Sequence, residues 1–383
     1  MAVTAAVGVA IALAFIGVFG ASGASPRTGP LVVDSRLAAP PARFVRGDGL
    51  YDGKGAKQRL EAPVSGALMG PLSPVAVASP DGSSVAYSAW HELRSVDSAL
   101  SFSAQRIRPG DALAVPSLRV ADDEGHDFLV ARGAYSAAWR TDGALAYVQG
   151  VEPSFRAGEI YDGRVYVRRG IHGPAVEWTT EPARYVVYAW AGERLLLYRI
   201  GAGESLELLV ADGPGRVRPF ADGSAVAVSP DGTRVAVLSP DAASIRVLDV
   251  ASGREQAWLD VTTSSPALRW IGYSGSWTRD RVVAPASSGL AVFRVGQESI
   301  QLEQALSLSQ AEFPAGVQEP LFAGKETDEI VATAEAPAGD GDAAAFFLDC
   351  DRLARTCARG TPVPAKEWPR LVRNPSRPGR ELP

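Results

Sequence analysis

The sequence predicts an all-β chain arranged as a β-propeller, and three observations carry the expectation. One unit of four short apolar segments separated by tight turns fills about 40 residues, the size of a propeller blade. Its leading Ser-Pro-Asp-Gly turn recurs, in full or degraded, along the chain. The strand runs are apolar at consecutive rather than alternate positions, as a sheet buried on both faces requires.

The clearest unit begins at residue 225. Ser229-Pro230-Asp231-Gly232 separates the apolar runs 225–228 and 235–238. Asp231 and Gly232 set a tight turn there, because glycine accepts positive φ and the aspartate side chain bonds nearby amides. A second hairpin follows, with 245–250 and 256–261 joined through Ala251-Ser252-Gly253. The β-branched residues in these runs favour extended pairing.

Five further units fit the same template. Asp81-Gly82 precedes 85–88, with 118–120 against 128–130 as its second hairpin; Asp142-Gly143 precedes 145–148, with 165–167 and 176–178 following. Degraded turns at Ala191-Gly192-Glu193, Thr278-Arg279-Asp280 and Lys325-Glu326-Thr327-Asp328 precede 195–198, 282–284 and 330–332. The intervals run roughly 40 to 60 residues, in the propeller range. Six four-stranded blades are expected across 63–365, with seven as the alternative. A β-sandwich also shows short strands and Asp-Gly turns, but not a second hairpin at a repeated offset.

The Ser-Pro-Asp-Gly turns and their flanks resemble the WD40-like repeats of TolB-type propellers. Residues 245–254 are similar to the closing hairpin of a WD40 repeat, with Leu248-Asp249 standing where that family has Trp-Asp. No Gly-His dipeptide occupies the family's place, since Gly125-His126 falls inside a hairpin turn. The resemblance therefore favours the extracytoplasmic, TolB-like branch, and with the Ala/Arg/Gly-heavy composition it extends to uncharacterised membrane-anchored propeller proteins of actinobacteria. It implies a partner in an envelope complex.

At the amino terminus, residues 2–21 carry no charge and are dominated by Ala, Val, Ile and Phe. A helix of about 20 such residues crosses a bilayer core. Within 1–24 this is a signal-anchor, or a signal peptide cleaved near Ala21-Ser22-Gly23-Ala24-Ser25. The first arginine is Arg27, so charge does not fix the orientation. Residues 25–62 read as a tether marked by Ser25-Pro26, Gly29-Pro30 and Pro40-Pro41, with 43–45 and 60–62 offering a ring-closing strand for the last blade. Residues 366–383 read as a disordered, proline-rich tail.

The two cysteines, Cys350 and Cys357, fall at the end of one strand and the start of its partner when 348–349 is aligned with 248–249. That spacing suits a disulfide in an exported domain. Reduced buried thiols are the alternative, and a metal site is the poorer reading because no Cys or His cluster lies nearby.

A net charge of −5, with arginine and acid interspersed, provides no basic footprint for nucleic acid. Among the eight tryptophans, Trp90, Trp139, Trp190, Trp270 and Trp277 recur near first hairpins, where packing between blades is expected. His91, His126 and His172 all read as loop residues without metal-ligand spacing. Gly272-Tyr273-Ser274-Gly275-Ser276 only superficially resembles a nucleophile elbow and reads as a turn. Asp340-Gly341-Asp342 offers a calcium possibility but lacks a regular ligand ladder. No catalytic residue or cofactor site is assigned. The expected role is an interaction or ligand-binding module at the envelope, its partner an envelope protein or cell-surface ligand. The alternative is a propeller enzyme of lactonase or sugar-dehydrogenase type, with inward-facing acids or histidines around an axial metal.

Overall fold

The computed structural model describes residues 26–372 apart from 39–42, 53–55, 65–74, 94–99, 103–104, 108–112, 151–161, 203–204, 262–274, 288, 314–316, 323–327, 338–342, 361–362 and 365–369. The expected N-terminal helix, Pro40-Pro41, Trp270, Asp340-Gly341-Asp342 and the tail beyond 372 lie outside the described residues.

The clearest sequence unit folds as an antiparallel meander of Ser224–Val228, Arg234–Leu238, Ser244–Asp249 and Glu255–Asp260. Its consecutive apolar residues divide between two neighbours. Val235 and Val237 pack towards the preceding sheet, while Ala236 and Leu238 pack towards the following one. Period-two alternation along a strand thus appears as an uninterrupted apolar run when both faces are covered.

Seven sheets built on this pattern are present among the described residues, numbered here in chain order. Sheet 1 contains Phe44–Arg46, Gly49–Tyr51 and Lys57–Arg59; sheet 2 runs from Ala76–Ala78 to Asp127–Arg132, and sheet 3 from Ala134–Trp139 to Ala175–Glu177. Sheet 4 runs from Ala183–Ala191 to Val217–Asp222 and is continuous with sheet 3 where Asp162 and Gly163 pair with Arg184 and Ala183, and sheet 5 is the unit above. Sheet 6 runs from Ser276–Thr278 to Ile300–Ser307, and sheet 7 from Val317–Phe322 to Thr356–Arg359.

Each successive pair encloses its own apolar cluster. Tyr87 and Leu50 share the cluster between sheets 1 and 2, Leu118 and Tyr147 that between 2 and 3, and Tyr135 and Leu197 that between 3 and 4. Tyr198 and Val235 join sheets 4 and 5, Val247 and Phe293 join 5 and 6, and Val292 and Phe346 join 6 and 7. Val331 and Leu371 then connect sheet 7 back to sheet 1. The succession returns to its start, so the sheets form a closed ring, which is the propeller arrangement.

Six sheets correspond to the units read from sequence, and sheet 1 is additional. Its three N-terminal strands pair with Arg370–Leu371 in the order 370–371, 44–46, 49–51, 57–59. The segment expected to lend one closing strand to the last blade instead builds most of a sheet. Residues 370–372, assigned to the tail, lie within the fold, with Leu371 and Val372 buried. The physical reason is ring closure: drawing one sheet from both chain ends leaves no unpaired edge at the joint.

Residues 27–38, read as spacer, run instead along the outer edge of the ring. Arg27–Pro30 pairs in parallel with Ile300–Ser307 of sheet 6, and Val32–Ala38 pairs in parallel with Thr356–Arg359 of sheet 7. Leu31 between them is buried with Val292 and Phe346. Beneath this strap, Arg352 is only 4% exposed and donates to Glu303 (3.4 Å), Gln304 (3.2 Å) and Asp328 (2.6 Å). Arg281 Nε reaches Glu303 at 2.8 Å. Burial alone would raise the Glu303 carboxyl, but the Arg281 guanidinium, with Arg352 and Arg294, brings it below its ordinary value.

The disulfide between Cys350 and Cys357 is present, the two residues facing each other across adjacent strands of sheet 7. Both are buried, and Val33 of the strap pairs with Cys357.

Candidate functional site: the two ends of the ring

An antiparallel meander alternates its connections between two ends, and here the ends differ. At one end, the links between first and second strands and between third and fourth strands span six residues or fewer. At the other end, connections 60–75, 94–112, 151–161, 261–275, 308–316 and 360–369 are longer, and 94–112 holds a further hairpin of Leu100–Phe102 and Gln105–Ile107. Gly133 and Gly223 are among the tight exceptions there, each joining two sheets directly.

The short end is built from a repeated hydrogen-bonded turn. Gly232 N donates to Ser229 O (2.8 Å), Arg234 N to Ser229 Oγ (2.9 Å), the Ser229 hydroxyl to Asp231 Oδ1 (2.6 Å), and Thr233 N to the same oxygen (3.0 Å). The turn at Asp81-Gly82 repeats all four bonds, with Ser79, Ser83 and Ser84 in the corresponding places. At Asp142-Gly143 the serine is replaced by Arg140, whose guanidinium pairs with Asp142 at 2.6–2.8 Å.

The carboxyls respond to these donors. The Ser79 hydroxyl holds Asp81 below the ordinary aspartate value despite burial, and Arg140 does the same for Asp142. At Asp231 burial pulls upward, but the Ser229 hydroxyl and the Thr233 amide and hydroxyl outweigh it. These residues therefore serve the turns. Sequence reading missed a fourth member, Ser239-Pro240-Asp241-Ala242, which makes the same bonds at the long-connection end of sheet 5. Ala242 there adopts φ +57°, the place of Gly82 and Gly232. Its signal was Ser-Pro-Asp without the glycine.

The innermost strands are largely apolar. Of the seven, only Val317–Phe322 contains a carboxylate, Glu319, and none contains histidine. Trp139, Trp190 and Trp277 are buried at the short ends of three of these strands, as packing between sheets predicts. Arg140 lies over the Trp190 ring and Arg234 over Trp277, each crossing from one sheet to the next at 4.9–5.0 Å.

His91 departs from expectation: it lies within the strand Ser84–Leu93, paired with Val115, rather than in a loop. His126 and His172 are in short-end turns of adjacent sheets and flank the Phe128 ring at 5.7 and 5.3 Å. Asp122, Glu124 and His126 bring one ligand atom each within 4.8 Å of one another, a set able to hold a divalent cation. Asp122 is also committed to its turn, accepting from the amides of Glu124 (3.0 Å) and His126 (2.8 Å). Ser276, read as the end of a turn, instead opens the strand Ser276–Thr278, and its hydroxyl accepts from Phe322 N at 3.0 Å. Residues 272–274 lie outside the described residues.

No protein-family model matches the chain, and no curated protein matches it. Among solved structures it is similar to the Pyrococcus horikoshii acylaminoacyl peptidase, at 13% identity and TM-score 0.42 over 77% of this chain and 47% of that one. The chain thus spans about half the length of that peptidase. It is also similar to the β-propeller domain of Myceliophteria thermophila Cps50 (Swd1), at 10% identity and TM-score 0.45 over 76% of this chain and 85% of that one. A third likeness is to Kuenenia stuttgartiensis hydrazine synthase, at 14% identity and TM-score 0.41 over 76% and 80% of the two chains.

Proposed function

We propose that this chain is a seven-bladed propeller held at the outer face of a membrane by its N-terminal apolar segment, and that it binds a protein or surface ligand through its long-connection end. The observation that carries the reading is the asymmetry of the two ends. The short end spends its polar side chains on its own turns, whereas the long connections introduce Phe102, Phe155, Tyr161, Trp270, Tyr273 and Trp368. Aromatic residues of this kind anchor interfaces because they bury large area at small entropic cost.

The enzyme reading places acids or histidines on the innermost strands around a metal. Those strands are made mostly of Ala, Val, Tyr, Trp and Ser, which favours binding over axial metal chemistry.

The test is photo-crosslinking in native envelopes with the reactive residue at Glu181 or Ala202 on the long-connection end, and at Glu193 or Ser252 on the short end. Discrete adducts from the first pair alone are expected. Equal labelling from both ends, or a stoichiometric divalent metal retained by the purified protein, would overturn the proposal.

A further inference from the structure

The strap fixes where the tether leaves the ring. The apolar stretch ends at Ala21 and the first strand begins at Arg27, so residues 22–26 alone separate them. Five extended residues reach at most about 18 Å. Arg27 pairs with Gln304 in the middle of its partner strand and the pairing is parallel. Pro26, the first described residue, therefore lies on the side of Ile300, the short-turn end of the outer strand of sheet 6.

A second observation falls on the same edge. Five large apolar side chains are exposed among the described residues: Val32, Leu129, Val176, Trp258 and Leu353. Two of them sit together beside the strap. Val32 is 58% exposed and its amide donates to Arg355 O at 2.9 Å, while Leu353 is 55% exposed in the same turn. Ala354 is also exposed between Leu353 and Arg355, and Arg36 on the strap is exposed with its guanidinium paired to Asp34 at 2.8 Å. Apolar tips flanked by charged side chains of both signs, Asp34 with Arg36 on the strap and Asp351 in the turn, suit a head-group boundary, where apolar side chains enter the acyl layer and charged ends stay at its polar surface.

We infer that the edge formed by the strap and the Leu353 turn rests on the lipid surface, so that sheets 6 and 7 face the bilayer and the long-connection end is held clear of it. This rests on the tether reading above.

The test uses the full chain in phosphatidylcholine–phosphatidylglycerol vesicles carrying a head-group quencher. An environment-sensitive fluorophore is attached through Leu353→Cys, Val176→Cys on the opposite side of the ring, or Ala202→Cys at the long-connection end. The native cysteines are disulfide-bonded and buried, so they leave the label specific. The label at 353 is expected to lose most of its emission, and those at 176 and 202 little. If the chain floats with the vesicles but all three labels quench alike, the orientation is overturned while the tether stands. If the chain does not float with them, both are overturned.

Discussion

Replacing Gly232 by alanine and comparing it with Gly143→Ala separates two costs that coincide at most tight turns. Both glycines hold left-handed backbone, at φ +69° and +83°. A Cβ at Gly143 meets nothing within 4 Å, so the substitution costs backbone strain alone. That strain is about 1–2 kcal/mol, reduced by about 0.4–1 kcal/mol because alanine also stiffens the unfolded chain, leaving about 1 kcal/mol. At Gly232 the same Cβ would collide with the backbone nitrogen of Gly192 and stand 3.0 Å from Ala191 C and Gly192 Cα, in the corresponding turn of sheet 4. Backbone cannot rotate aside, so the turn or the whole sheet must shift, adding about 1–3 kcal/mol. Gly232→Ala is therefore expected to cost about 2–4 kcal/mol and Gly143→Ala about 1 kcal/mol. Urea unfolding followed by tryptophan emission reads the difference as a shift in midpoint. Equal midpoints for the two variants would refute the claim that these turns touch, and with it the close approach of sheets 4 and 5.

Ala242→Gly relieves the left-handed backbone already present in the wild type, and the same melt should show no loss, with a gain of up to about 1 kcal/mol. Arg352→Met leaves Glu303, Gln304 and Asp328 without their shared donor and should cost about 3 kcal/mol, as breaking a buried ion pair does; Glu303→Gln added to it should recover part of the loss. Replacing both cysteines by alanine removes a crosslink that closes a short loop, which the chain-entropy account values at about 2–3 kcal/mol, measured as the midpoint difference from the oxidised parent. The Asp81 and Asp142 carboxyls sit below their ordinary value of 3.8 in the fold. Their contribution is therefore present above that value and lost as pH falls through the lower folded one, so an acid titration of stability should flatten below pH 4 in Asp81→Asn and Asp142→Asn relative to the parent. An unchanged acid limb would remove the turn hydrogen bonds from the stability argument.

The legible parts of the fold are those in which one continuous stretch makes one sheet. Residues 224–260 supply four strands in order, and their apolar runs and turn chemistry place each within about a residue. Sheet 1 was hidden because its strands come from the two chain ends and are short and polar, with Lys57–Arg59 mostly exposed and Arg370–Leu371 only two residues long. The strap was hidden for a related reason. A parallel outer strand exposes one face and follows its partner rather than a pattern of its own, so Arg27-Thr28-Gly29-Pro30 reads as spacer. The two ends of the ring were legible only as connection lengths, which become meaningful once the strands have been assigned. His91 reads as a loop residue in sequence because its strand runs beyond the apolar core of 85–89 into Trp90-His91-Glu92-Leu93.

The joint of sheet 1 has a temporal consequence. Phe44–Arg46 leaves the ribosome more than 300 residues before its partner Arg370–Leu371, and Arg27–Pro30 and Val32–Ala38 likewise precede by a long interval the strands they pair with, Ile300–Ser307 and Thr356–Arg359. The nascent chain must carry Arg27–Pro30, Val32–Ala38 and one edge of Phe44–Arg46 without their partners until those late strands are made, a period when exposed strand edges recruit wrong partners. The membrane tether proposed above would keep the early strands apart from their counterparts on neighbouring nascent copies.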